Sequence, residues 1–278
     1  MVWQDDFKKA GSIASQALQH GKSLVKEGAL VVDILDRVEE FILSKDAGIA
    51  FPAQISHNAV AAHACSTLDD KTTIQADDVV KLDFGVHVNG FIGDNALTVN
   101  LSGEHDDLIK ASRDALNTAV KMATPGTKVG EIGGAIQDTI TGAGFSPVRN
   151  LSGHGLGQFE IHTSPSMPNI RLEQSDELQE EMTIAIEPFA TTGKGAIADS
   201  GMASVFTHVA NRPVRSPHAR AILSSLQKYN GLPFAMRWLE REFGSAKTRL
   251  GLRELERAGA IISHPPLKEI ADGLVAQS

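Results

Sequence analysis

The chain is short of the features that usually announce a compartment, a membrane or a nucleotide. It has one cysteine, Cys65, in 278 residues, so no internal disulfide can form and a reducing compartment is expected. No apolar run approaches 18 residues, so no membrane-spanning helix is expected. The first eleven residues are charged and lack the apolar stretch of a signal peptide, which makes a cytoplasmic location the expectation. Positive charge is in deficit: 26 Lys and Arg against 34 Asp and Glu give −8, unlike a nucleic-acid coat. There is no G-x-S-x-G nucleophile elbow, and the GKG at 193–195 lacks the rest of a phosphate loop. Low-complexity tracts are absent. What is present is ordinary globular material: 42% hydrophobic residues and 25 glycines bring the apolar total near half, which excludes disorder and collagen. The length corresponds to about two domains, or one large α/β domain with an insert.

The pattern begins with helices. FKKAGSIASQALQHGKSLVKEG has helical spacing and a stop at Gly28, and a second helix carries a stripe of Val32, Ile34, Leu35, Val38, Phe41 and Ile42. Two β-rich runs then flank Asn89-Gly90, the strongest short hairpin signal. Residues 106–124 and 129–143 return to helical periodicity, Gly/Ser-rich strands are expected from 145 to 165, and TIAIEPFAT reads as one buried strand. From 205 to 265 the texture changes. Ser216 before Pro217 is an N-cap signature, and stops at Gly231, Gly244 and Gly259 predict three short helices in a compact subdomain. That segment holds 10 Lys/Arg against 4 Glu, or +6, while the remainder holds 16 against 30, or −14.

Chemistry is suggested first by the hairpin. With Asn89-Gly90 as a two-residue turn, paired positions sum to 179, Asp83 faces Ala96, and Asp94 lies diagonally from Asp83 on the same face. Aspartate is a poor strand residue, and two on one apolar face repel unless a cation sits between them. The spacing suits two divalent ions about 3.5–4 Å apart; the alternative is that one or both carboxylates face solvent or cap a turn. His154 and His162, separated by Gly155 and Gly157, can be ligands, acid/base groups or surface residues. Glu187 lies inside an apolar strand, an expensive place unless it is paired or bound to a cation. His57 and His63 follow an apolar stretch and read equally well as ordinary histidines. Three carboxylates and an imidazole make an oxygen-rich set for hard or borderline divalent ions, and without cysteine it is no structural zinc site.

The strings FPAQISHNAVAAH, KLDFGVHVNGFIGDNALTV, GHGLGQFEIHTSPSMPNI and AIEPFATTGKG resemble, in order and spacing, type II methionine aminopeptidases of the short archaeal form. PVRSPHARAI, GLPFAMRWLER and LGLRELERAGAI look like the helical insert that separates type II from type I. The resemblance implies an α+β pita-bread fold, with two halves related by a pseudo-twofold around a cleft. It implies a catalytic domain of residues 1–204 plus 266–278 and a helical, winged-helix-like insert at 205–265. It implies a centre of two divalent ions (cobalt, manganese, iron or zinc) held by Asp83, Asp94, His154 and Glu187. His63 and His162 would contact substrate, with Glu187 also moving a proton, and Phe51 and Ile161 would wall an apolar pocket. The substrates would be N-termini of nascent polypeptides, processed by a monomer. Separately, the +6 charge of the 205–265 segment suggests a contact with the ribosome through Arg237, Arg241 and Arg253, with an ordinary solvated helical face as the alternative.

The family pattern has a fifth ligand, a glutamate expected immediately after Ser278, so a C-terminally truncated copy lacking the final strand is the expectation. Three carboxylates facing two divalent ions leave a net +1. Two rival readings remain: a prolidase-like peptidase, which normally carries an extra N-terminal domain, and a non-catalytic relative binding ribosomes or RNA, which loses its ligands.

Overall fold

The computed structural model describes residues 2–173 and 175–278. The chain opens with α1 (Val2–Leu24) and α2 (Val31–Leu43), followed by β1 (Gly48–His57), β2 (Val60–Ala62), β3 (Val79–Val88) and β4 (Phe91–Asn100). It then repeats the order. Helices α3 (Asp106–Met122) and α4 (Val129–Gly142) precede β5 (Ser146–Pro147), β6 (Ser152–Gly157), β7 (Glu160–Pro168), β8 (Ile184–Ala185), β9 (Phe189–Thr191) and β10 (Ile197–Asp199). The third stretch holds β11 (Val205–His208), α5 (Pro217–Ser225), a 3₁₀ turn at Leu226–Tyr229, β12 (Phe234–Ala235), α6 (Met236–Phe243), α7 (Ser245–Arg257) and β13 (Ile261–His264). The chain closes with β14 (Leu267–Glu269) and β15 (Val275–Gln277).

Each stretch has its own core. In the first, Leu35, Val38 and Ile42 of α2 and Ala14 and Leu18 of α1 pack on Leu82 and Phe84 of β3. That is the apolar stripe expected for the second helix, and it faces the sheet β1-β3-β4. In the second, Leu108, Ala115 and Ala119 of α3 meet Ile132, Ile136 and Ile140 of α4, with Ala190 and Ala276 beneath. Two helix pairs thus cover two sheet systems, with a cleft between them.

The hairpin register is the one the turn predicts. Val88 faces Phe91 and Asp83 faces Ala96, while Asn89 (φ 52°) and Gly90 (φ 88°) take the left-handed conformation a type I′ turn needs. Two expectations change. TIAIEPFAT is not one strand: β8 pairs with β6, the ladder stops, and β9 pairs with β5 and β15. Pro188 has no N–H to give a ladder, so the chain changes sheets at Glu187. In the third stretch the three helices form as expected, and Ser216 Oγ accepts from the N–H groups of His218 and Ala219. They are joined by a sheet, β12-β11-β13, that helical texture did not show; its strands are two to four residues long.

Arg237 also departs from expectation. It is fully buried, pairing with Glu39 and Asp36 of α2, so it cannot contact a phosphate backbone. Arg241 is exposed but paired with Asp36. Among the described residues no helix is long and apolar enough to cross a membrane.

Candidate active site

The cleft holds a cavity of about 560 Å³, and every residue singled out from the sequence as a site residue lines it: Phe51, His63, Asp83, Asp94, His154, Ile161, His162 and Glu187. A larger cavity of about 880 Å³ lies between the 64–72 loop and α7, but that carboxylate group is not in its wall. His57 borders the larger cavity, its Nδ1 3.5 Å from Asp78 Oδ2, and stays outside the cleft.

Local structure explains the convergence. The β3–β4 register brings Asp83 and Asp94 to one face. His154 in β6 lies opposite Ala185 of β8, two residues before Glu187. That approach depends on Gly153. A Cβ there would overlap the Ala185 carbonyl and lie 3.2 Å from Glu187 N, so only glycine lets β6 close on β8. His154 Nε2 consequently stands 3.1 Å from Glu187 Oε1 and 3.6 Å from Asp94 Oδ2. Asp94, His154 and Glu187 each offer a ligand atom within 4.8 Å of the others. Asp83 falls outside that triangle; its Oδ2 accepts from Gln277 Nε2 at 3.2 Å.

The electrostatics describe a site short of positive charge. Burial, and then the Glu187 charge, raise the Asp83 carboxyl to about 7. Burial followed by Glu187 and Asp83 raises Asp94 well above the usual carboxylate range. For His154, burial opposes the charged ring, yet its hydrogen bond to Glu187 and that carboxylate's charge prevail and raise it. Asp83 Oδ1 is buried with no hydrogen-bond donor, and the one group near Glu187 Oε1 is the His154 ring, 3.1 Å away. Crowded carboxylates with raised pKa values and an unpartnered oxygen are what a divalent cation relieves, and an O-rich set with one imidazole suits such an ion.

The other histidines behave differently. Burial, then the neighbouring His154, His63 and His264, push His162 down to about 4. Burial and then His264 do the same to His63, also to about 4. Both rings are neutral at pH 7, each able to donate from one nitrogen and accept at the other. His63 sits at φ 63°, an uncommon conformation for a side-chain-bearing residue. Phe51 and Ile161 meet in one apolar cluster with Ala50, Ile92 and Leu232.

Three residues at or behind the cleft were not foreseen. Gln54 of β1 faces Asp83, 4% exposed, with Oε1 unpartnered. Gln277 of β15 reaches both Asp83 and Glu187. His264, from the end of β13, stacks edge-on to His63 with ring centroids 5.8 Å apart. A glutamine three residues after Phe51 is readable as a cleft residue only if β1 is irregular, and nothing local announces that.

Comparison with known proteins agrees with this picture. The sequence profile of metallopeptidase family M24 matches residues 5–209. A methionine aminopeptidase of Thermococcus onnurineus is 45% identical, covering 97% of this chain and 92% of that protein. Among solved structures, that of a thermophilic Arx1 superposes with TM-score 0.85 at 17% identity, over 98% of this chain and 86% of that one. The crystal structure of a methionine aminopeptidase from Thermotoga maritima gives TM-score 0.70 at 22% identity, over 98% and 89%. The expected pita-bread fold is therefore the fold observed, and the chain is a member of metallopeptidase family M24.

Proposed function

We propose that this chain is a methionine aminopeptidase of the type II, short archaeal form, removing N-terminal methionine from nascent proteins when the next residue is small. The observation that carries the reading is the grouping of Asp94, His154 and Glu187 at the point where β6 and β8 meet, beside Asp83 with an unpartnered oxygen. The relatives at 34–45% identity over nearly the whole chain bear the name of that activity, which disfavours the prolidase-like and non-catalytic alternatives.

Asp83, Asp94, His154 and Glu187 would hold two divalent ions, of cobalt, manganese, iron or zinc. Such ions polarise a carbonyl and bring the pKa of water near neutrality. Glu187, whose carboxylate lines the cleft, would take the proton from the attacking water and return it to the departing amine. His162, neutral at pH 7, donates from its ring N–H toward the oxygen that gains charge, and adds no charge of its own to the site. His63, which also lines the cleft, holds the scissile amide. Phe51 and Ile161 face the methionine side chain. The segment 205–265 is an insert subdomain with its own core of Ile222, Phe234, Leu239 and Leu255. Its exposed arginines, Arg220 and Arg253 among them, supply contacts to ribosomal phosphates in the cytoplasm.

The test is direct. Purified protein loaded with manganese and desalted is expected to retain metal by elemental analysis and to hydrolyse Met-Gly-Met, and Glu187→Gln is expected to lose both properties. Full activity in Glu187→Gln removes the assignment. Charge reversal at Arg220 and Arg253 is expected to weaken ribosome co-sedimentation; an unchanged salt profile removes the docking surface.

A further inference from the structure

The pairing of β1 with β3 slips twice in a short span: Ile49 faces Val86, Phe51 faces Gly85, and Gln54 faces Asp83. Phe51 and Gln54 are three residues apart, so a regular strand would send them to opposite faces. Both line the cleft instead. The irregularity leaves Ala53, fully buried, without a partner in the ladder. Its buried backbone groups must find partners elsewhere. Its N–H donates to Glu39 Oε1 at 3.0 Å, and its C=O accepts from Cys65 Sγ at 3.5 Å.

Both of those partners are held by one side chain from the insert. Arg237 of α6 donates from Nη2 to Glu39 Oε1 and from Nη1 to Cys65 Sγ at 2.7 Å, while its Nε reaches Asp36 Oδ1 at 3.3 Å. Trp238 Nε1, the next residue, donates to Glu39 Oε2 at 2.8 Å. Glu39 is 5% exposed and Arg237 fully buried, so the glutamate depends on the arginine for its charge, while the arginine keeps Asp36 as a second acidic partner. Neither side chain lines the cleft.

We propose that Glu39 and Arg237 are positioning residues for substrate selection: from outside the sheet they fix Ala53, and so aim Phe51 and Gln54 into the cleft. This rests on the peptidase reading above. It also gives the insert a part in shaping a pocket whose walls belong to other elements, because the arginine that completes the clamp comes from α6.

The experiment compares Glu39→Leu, which removes the acceptor for Ala53 N–H, with Glu39→Gln, which keeps an acceptor without the charge. Amide hydrogen exchange over residues 49–56 is measured beside KM and kcat for Met-Gly-Met and for Leu-Gly-Met. Glu39→Leu is expected to speed exchange and raise KM for the methionyl peptide about tenfold, narrowing its preference over the leucyl peptide; a tenfold change is about 1.4 kcal/mol. Its kcat is expected to change less than about threefold, and Glu39→Gln is expected to stay near wild type in exchange and KM. A merely structural clamp lowers the melting temperature of Glu39→Leu with exchange and KM unmoved, and that result overturns the proposal. So does a Glu39→Gln variant as impaired in KM as Glu39→Leu. Should Glu39→Leu fail to fold, Arg237→Lys carries the test: a smaller shift in the same direction supports the proposal, and a lowered melting temperature alone overturns it. If wild type does not cleave Met-Gly-Met, the peptidase reading fails, and the exchange measurement alone decides whether the clamp sets β1.

Discussion

Replacing Gly153 by alanine tests whether backbone proximity builds this site. A Cβ at that position would lie 2.9 Å from the Ala185 carbonyl carbon, with its oxygen closer still. Carbon atoms prefer about 3.5–4.0 Å, so β6 and β8 must part by roughly 1 Å. His154 is the next residue in β6, and Glu187 follows Ala185 by two, so the gap opens directly between the imidazole and the carboxylate now 3.1 Å apart. Displacing reacting groups by about 1 Å lowers rates about a hundredfold, and forcing bulk into a packed site costs about 1–3 kcal/mol of stability. Gly157→Ala in the same strand is the control, because its Cβ would make ordinary contacts at 3.4 Å with Glu160 Cβ and Thr163 Cγ2. Met-Gly-Met hydrolysis, bound metal and thermal melting are measured on both. Gly153→Ala is expected to lose about two orders of magnitude in kcat/KM and to bind metal more weakly, with Gly157→Ala within a few-fold of wild type. Equal activity in the two variants would falsify the claim that this close approach assembles the ligands.

Other predictions concern charge, the apolar wall and the end of β15. The Asp83 carboxyl, near 7 in the folded chain against about 3.9 unfolded, gives stability that is present at low pH and lost as pH rises through 7, up to about 4 kcal/mol. The melting temperature of chelated wild type minus that of chelated Asp83→Asn is therefore expected to fall between pH 5 and pH 7.5, with added manganese removing that fall; a difference that does not change with pH refutes this. In Gly85→Ala the new Cβ would overlap the Phe51 ring and lie 2.9 Å from Ala50 Cβ, so KM for methionyl peptides is expected to rise while metal content holds. Loss of metal in that variant instead would place the damage at Asp83. Strand alternation puts position 279 on the face of Gln277, which already touches Asp83 and Glu187. Extending the chain with a glutamate at 279 is expected to tighten manganese binding in a chelator competition, and unchanged affinity speaks against that geometry.

The parts of the site that were legible in the sequence are those where chemistry conflicts with its surroundings. Asp83 and Asp94 stand in apolar strands, Glu187 stands between Ile186 and Pro188, and a two-residue turn fixes the hairpin register to the residue. Each conflict is local, so it survives in a one-dimensional reading. The break in TIAIEPFAT was present too, in Pro188, but an apolar run outweighed a single residue unable to donate. Sheet β12-β11-β13 was hidden because strands of two to four residues have no measurable alternation, and helices on either side dominate the texture.

What the sequence concealed is the support behind those residues, and the reason is distance along the chain. Arg237 meets Glu39 across 198 positions, and Gln277 meets Asp83 across 194. No periodicity or spacing rule couples such pairs. Composition misleads as well: Arg237 counts toward a basic surface, yet it lies in the interior neutralising α2. Lys228, Arg237, Arg241 and Arg249 all have acidic partners, so four of the ten insert cations are committed within the molecule. The +6 of that segment therefore overstates the field it presents to a polyanion, and a salt dependence of ribosome binding smaller than ten phosphate contacts would give follows from the fold itself. The same arginine that weakens the electrostatic argument for docking strengthens the structural one, because it ties the insert to the strand that carries Phe51.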